Sequence, residues 1–200
     1  MDSAWRDRIG FERLVMTDVE LGIAQSPCHG APMTLVRSGE ERDLAAIAAM
    51  GQIRSAPFRF HLDRDVDFVR HAITKKRLLA GLGSAGAASC TSFIAEEGVT
   101  AAAYVVVSVE GCRWTIEECS DRDPSDARVG AILQGLIARE PTERRPVVRG
   151  WLPPGFAPPQ VTILSARPSP EVAMVRSLGS AAAPLRLGGA EVLLWHGDIS

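Results

Sequence analysis

The sequence predicts a mixed α/β (α+β) domain, with a largely antiparallel central sheet flanked by helices. Three observations carry that reading. Two helical stretches precede a run of three strands joined by tight glycine turns. A strongly amphipathic helix follows at residues 127–139, and strand-like stretches fill most of the remainder. The order α-α-β-β-β-α-β-β-β places helices against one continuous sheet and does not give the alternating units of a parallel one.

The elements follow in order. In "SGEERDLAAIAAMG", Ser38 and Glu41 have capping-box spacing, Leu44, Ile47 and Ala48 share a face, and Gly51 is placed as a C-terminal cap. A second helix reads through "DVDFVRHAITKKRLLAG", with Val66, Val69, Ile73 and Leu79 along one stripe and Gly81 at its end. Asp63, Asp65 and Asp67 at its start suit the positive end of the helix dipole. With His61 they also alternate in a way that invites a metal, but carboxylates at a helix start more often cap it, and no metal site is expected. Gly81, Gly83 and Gly86 have G-x-G-x-x-G spacing, yet they follow a helix and open a strand. The dinucleotide fingerprint needs the opposite context, so this is a loop.

Residues 91–119 read as a β-meander turning at Gly98 and at Glu110-Gly111. Its middle run, "AAAYVVVSV", is nearly all apolar, as a strand buried on both faces should be. The helix at 127–139 carries its apolar face on Val129, Ile132, Leu133, Leu136 and Ile137. "PVVRGWL" and "VTILSA" are strands separated by the proline-rich "PPGFAPPQ", and "AEVLLWH" is a last strand. Residues 34–200 form the domain and residues 1–33 an N-terminal arm.

Composition narrows the function. The 200 residues are 46% hydrophobic and 23% charged with net charge −2, which offers no basic surface for nucleic acid or an anionic membrane. No apolar run approaches the roughly 20 residues of a membrane span. The four cysteines are scattered without a CxxC pair, so reduced thiols in a cytoplasmic protein are expected.

The segment "YVVVSVEGCRWTIEECSDRDPSDARVGAILQGLI" resembles the GNAT superfamily of acyl-CoA-dependent N-acyltransferases, in which a strand feeds a pyrophosphate-binding loop at the start of a central helix. Weaker likeness covers about residues 34–178. The resemblance implies acetyl-CoA as co-substrate and a primary amine as acceptor. Ser125, Arg128, Val129, Gly130 and Ala131 are the candidate cofactor-binding residues, because first-turn amides and the helix dipole favour phosphate. The family's loop reads Gln or Arg, two residues, Gly, one residue, then Gly or Ala. Here its first position is Ala127 and its last is Ile132. The same residues also read as a helix capped by Ser125 or Asp126, with Gly130 placed for packing.

Glu117 and Glu118, adjacent on the neighbouring strand, are the candidate general bases, and strand alternation would send them to opposite faces. The single tyrosine, Tyr104, lies in the central strand, where a core role with one satisfied bond suits it. "WRDRIGFERL" resembles the closing segment of a GNAT domain through Trp5, Gly10 and Phe11. The tyrosine that often protonates the leaving thiolate there falls on Arg6. That placement suggests the tail of a preceding lobe, and a partner lobe or a homodimer. Two functions therefore stand: an N-acyltransferase acting on an amine, or a non-catalytic lobe of that fold serving as a binding or interaction module.

Overall fold

The computed structural model describes residues 11–26, 34–82, 88–176 and 187–198. Strands β1 (Glu12–Ile23), β2 (Leu35–Ser38), β4 (Ala88–Glu97), β5 (Thr100–Glu110), β6 (Arg113–Asp121), β7 (Val147–Trp151) and β8 (Val161–Val175) form a 7-stranded sheet in the order β2-β4-β5-β6-β7-β1-β8. A 2-stranded sheet pairs β3 (Phe60–His61) with β9 (Val192–Leu193) in parallel. Helices α1 (Leu44–Ser55), α2 (Val66–Gly81) and α3 (Ala127–Ile137) complete the fold.

Every neighbouring pair in the large sheet is antiparallel except β6 and β7. The valine-rich run is β5, flanked by β4 and β6 and buried on both faces. Ala103, Val105 and Val107 meet the α3 layer, while Tyr104 and Val106 meet α1 and α2. Period-2 alternation thus divides one strand between two cores.

Three expectations change. The stretch read as an arm contains β1, which lies between β7 and β8 with Leu14, Val19 and Leu21 buried. The segment likened to a closing segment therefore leads into a strand inside this chain's own sheet; Trp5 and Gly10 lie outside the described residues. Gly51 does not end α1, which runs on to Ser55. A side chain at Gly51 would meet Arg64 Cδ at 2.9 Å and the Tyr104 hydroxyl at 3.2 Å, so close packing is what calls for glycine there. Finally, "AEVLLWH" contributes only the two-residue β9, because the rest of that stretch is held by side chains and not by a strand ladder. Of the glycine-rich loop, Gly81 ends α2, and Gly83 and Gly86 lie outside the described residues.

Asp65 does cap α2, accepting the Phe68 amide at 2.7 Å. Among the described residues no cluster of His, Cys, Asp and Glu could hold a metal ion, and no helix is long and apolar enough to cross a membrane.

The β6–β7 contact permits a direct test. Gly150 pairs with Ile116, and a Cβ there would lie 3.1 Å from Ile116 Cβ and from its carbonyl oxygen. Gly150→Val should lower stability by about 1–3 kcal/mol through overpacking, read as a lower urea midpoint with unchanged slope.

Candidate functional site

The site begins with a defect in β6. Val107 pairs with Ile116 and Val106 with Glu118, so Glu117 is an extra residue, a β-bulge. Before the bulge Trp114 and Ile116 point into the α3 core; after it Cys119 does. The inserted residue breaks the alternation, and Glu117 and Glu118 both face α2, lining a small cavity with Ala72, Ile73, Lys76 and Gly197. The expectation that they face opposite ways fails because strict alternation holds only for an unbulged strand.

The same position is where β6 and β7 part. Their parallel ladder runs from Arg113↔Val147 to Ile116↔Gly150 and ends there. Past that pair no ladder joins the two strands, which leaves an opening in the sheet flanked by Glu117 and Trp151.

The two carboxylates have different surroundings. Glu118 accepts a hydrogen bond from the Tyr104 hydroxyl and lies 3.2 Å from Arg64 Nη1. Burial pushes its carboxyl above the ordinary range, against the pull of Arg64. Tyr104, fully buried, has the core role with one satisfied bond; burial beside Glu118 lifts its phenol well above the usual value. Glu117 lies 3.0 Å from Lys76 Nζ and 3.1 Å from His196 Nδ1. Its burial raises the carboxyl, but the His196 bond, the Ser108 bond and the Lys76 charge together hold it below the ordinary range.

Arg64, His196 and Asp198 escaped the sequence reading. Arg64 is 1% exposed, reaches Glu118, and makes two 2.9 Å bonds from Nη2 to the Asp198 carboxylate. These residues are far apart in the chain, and only a charge pattern without periodicity marks them.

The opening itself is occupied by the chain. The side chains of residues 192–195 alternate: Val192 and Leu194 join the cluster around Leu14, while Leu193 and Trp195 enter the core beneath α3. His196 then returns to Glu117, its ring 5.3 Å from that of Trp151. Gly197 lies so close that a Cβ would sit 3.2 Å from the Glu117 carbonyl oxygen. Burying Leu193 and Leu194 contributes roughly 1.5–3 kcal/mol each, so this segment is firmly seated.

At the start of α3 the expected cofactor residues are also engaged. The Arg128 amide donates to Asp121 Oδ2 at 2.8 Å, and its guanidinium holds Asp121 Oδ1 at 2.9 Å and Glu97. The Gly130 amide donates to the Asp126 carbonyl, and a Cβ on Gly130 would lie 2.1 Å from Gln160 Oε1 and 2.8 Å from Pro158 Cβ. Ser125 is exposed, with its amide on the Asp123 carboxylate. Val129 is buried in the α3 core, and Ala131 is half-buried. Asp126, with φ 54°, occupies the cap position but points its carboxylate to Arg54 instead of the helix amides.

The order of strands, the parallel β6–β7 pair that splays at a bulge, and the helix rising from the end of β6 can be compared with known structures. A GCN5-related N-acetyltransferase from Anabaena variabilis superposes with TM-score 0.53 at 12% identity, covering 84% of this chain and 42% of its own. One from Kribbella flavida gives TM-score 0.55 at 13% identity, covering 88% and 40%. The chain has the GNAT fold. A probable N-acyltransferase of unknown function from Enterococcus faecalis matches at TM-score 0.50 and 10% identity, covering 85% of this chain and 41% of its own. This GNAT-fold chain thus spans about two fifths of the length of each neighbour. No family model matches the sequence, and no curated protein is detectably similar to it.

The ion cluster yields a second test. Arg64→Met removes the cation between Glu118 and Asp198 and leaves two buried carboxylates without it. The variant should lose about 3–5 kcal/mol, measured by denaturant unfolding at neutral pH, and recover part of it in acid as the carboxylates take up protons.

Proposed function

We propose that this chain is a GNAT-fold lobe whose acyl-CoA cleft is closed by its own residues, and that it serves as a binding or interaction module without transferring acyl groups. The observation that carries this is the seating of residues 193–197 in the opening between β6 and β7. In the acyltransferase reading, that opening is the place for the pantetheine arm. At the other end, the Asp121 carboxylate accepts the Arg128 amide, so an internal anion stands where a phosphate would be bound. Gln160 and Pro158 lie against Gly130, where close backbone approach to a ligand would be needed.

A second reading has its own support in the bulge that turns Glu117 and Glu118 to one face beside the splay. Here the chain would transfer an acetyl group from acetyl-CoA to a primary amine. Either carboxylate would act as base, with Ser125, Arg128, Val129, Gly130 and Ala131 holding the pyrophosphate. That reading requires residues 193–198 and Gln160 to move and Arg128 to leave Asp121. A cytoplasmic location, and a partner that is a second copy or another GNAT lobe, belong with either reading.

Calorimetry and thermal melting with acetyl-CoA separate the two. The module reading expects no heat and no shift at millimolar ligand. Saturable binding would overturn it, since a ligand at a hundredfold its dissociation constant adds about 2.7 kcal/mol of stability, a rise of several degrees.

A further inference from the structure

The closing segment is held by an unusual contact. His196 directs Nδ1 at Glu117 Oε2 of β6, at 3.1 Å, and Nε2 at Glu171 Oε1 of β8, at 3.5 Å. A neutral imidazole carries one N–H and can donate to only one of two carboxylates; the imidazolium donates to both. The Nδ1 contact is a hydrogen bond and the Nε2 contact an ion-pair approach, and carboxylates at both ends of the ring fit its charged form.

We propose that residues 195–198 are a proton-operated latch: the His196 imidazolium clamps the segment across Glu117 and Glu171, and loss of its proton loosens the segment and uncovers Glu117 and Glu118 in the opening between β6 and β7. This rests on the reading that the chain closes its own cleft. It concerns how the closure is held, not what would enter.

The groups facing the ring come from every element around it. Glu117 on β6 and Glu171 on β8 stabilise the charged form, and Lys76 on α2 opposes it. Trp151 on β7 offers an aromatic face. On the segment itself, Asp198 is satisfied by Arg64 and by the Trp195 amide. The bond to Glu117 is the largest influence and, against some burial, raises the affinity of His196 for its proton above the ordinary value near 6.5. A group raised in this way stabilises the closed form fully below its unfolded value, and the contribution disappears as pH climbs through the folded one. Closure should then be firm in mild acid and weaker in mild alkali. Arg64–Asp198 and the buried Trp195 limit the change to a loosening of the segment, with the domain left folded.

Hydrogen exchange at pH 6 and pH 9, corrected for the intrinsic pH dependence of exchange, tests this on the full chain. Protection of the Trp195, His196 and Gly197 amides should fall about tenfold over that range, while amides of β5 stay protected. In His196→Gln, protection should be low at both pH values. In Glu171→Gln, which removes one clamp from a half-exposed position, the loss should move to lower pH. Flat protection in the wild type, or an equal fall in His196→Gln, would overturn the latch. If β5 loses protection in His196→Gln, the Glu171→Gln profile decides alone, and an unmoved transition sinks the proposal. Acetyl-CoA binding would overturn the module reading without touching these exchange results.

Discussion

One inserted residue in β6 sets the terms for the rest of the site. A strand that kept the alternation of Trp114 and Ile116 would send Glu118 toward α3 and into an apolar core, at a cost no partner there could offset. The bulge turns it beside Glu117 instead, so two carboxylates share one face. Burying two negative charges side by side demands cations, and the fold supplies Lys76 from α2, Arg64 from the preceding loop and His196 from the far end of the chain. The small residue at Gly51 makes room for this cluster on the α1 side, where Arg64 Cδ, Glu118 and Tyr104 all lie against the place a Cβ would take. The divergence of β6 from β7 begins at the same residue, so the charge cluster and the opening have one structural origin.

The opening is a liability that the chain resolves internally. Two parallel strands that part leave backbone groups and apolar faces without partners. Residues 192–197 take that place, alternating between the two cores as a strand would, but forming a ladder only at Val192 and Leu193. At the start of α3 the same logic recurs with opposite charge. Orphan helix amides attract an anion, and Asp121 at the end of β6 supplies it, with Arg128 and Glu97 extending the network.

The likeness to known structures is one of backbone: identity of 10–13% leaves the side chains free to differ. The seating of residues 193–198 is distributed over several contacts. It rests on apolar burial at Leu193 and Trp195, on the Arg64–Asp198 pair and on His196, so no single contact holds it.

The sequence by itself determined the layered α/β class, the meander with a valine-rich centre, the proline-rich break before β8 and a helix read at 127–139, which the structure ends at Ile137. Each depends on local periodicity or on turn chemistry, which neighbouring residues carry in full. It also singled out Glu117 and Glu118 as adjacent acids next to the helix entry. Only the tertiary structure decided that they share a face, because a bulge depends on the register of β5 against β6 and not on β6 alone. Nor could local pattern show that β1 joins the sheet between β7 and β8, since strand order is a matter of long-range pairing. Arg64, His196 and Asp198 each look like an ordinary polar residue in the chain; their roles arise from pairings over long separations, 134 residues for Arg64–Asp198 and 79 for His196–Glu117. Gly130 shows the limit most plainly: its position suggested room for a phosphate, and the side chain of Gln160, thirty residues on, fills that room.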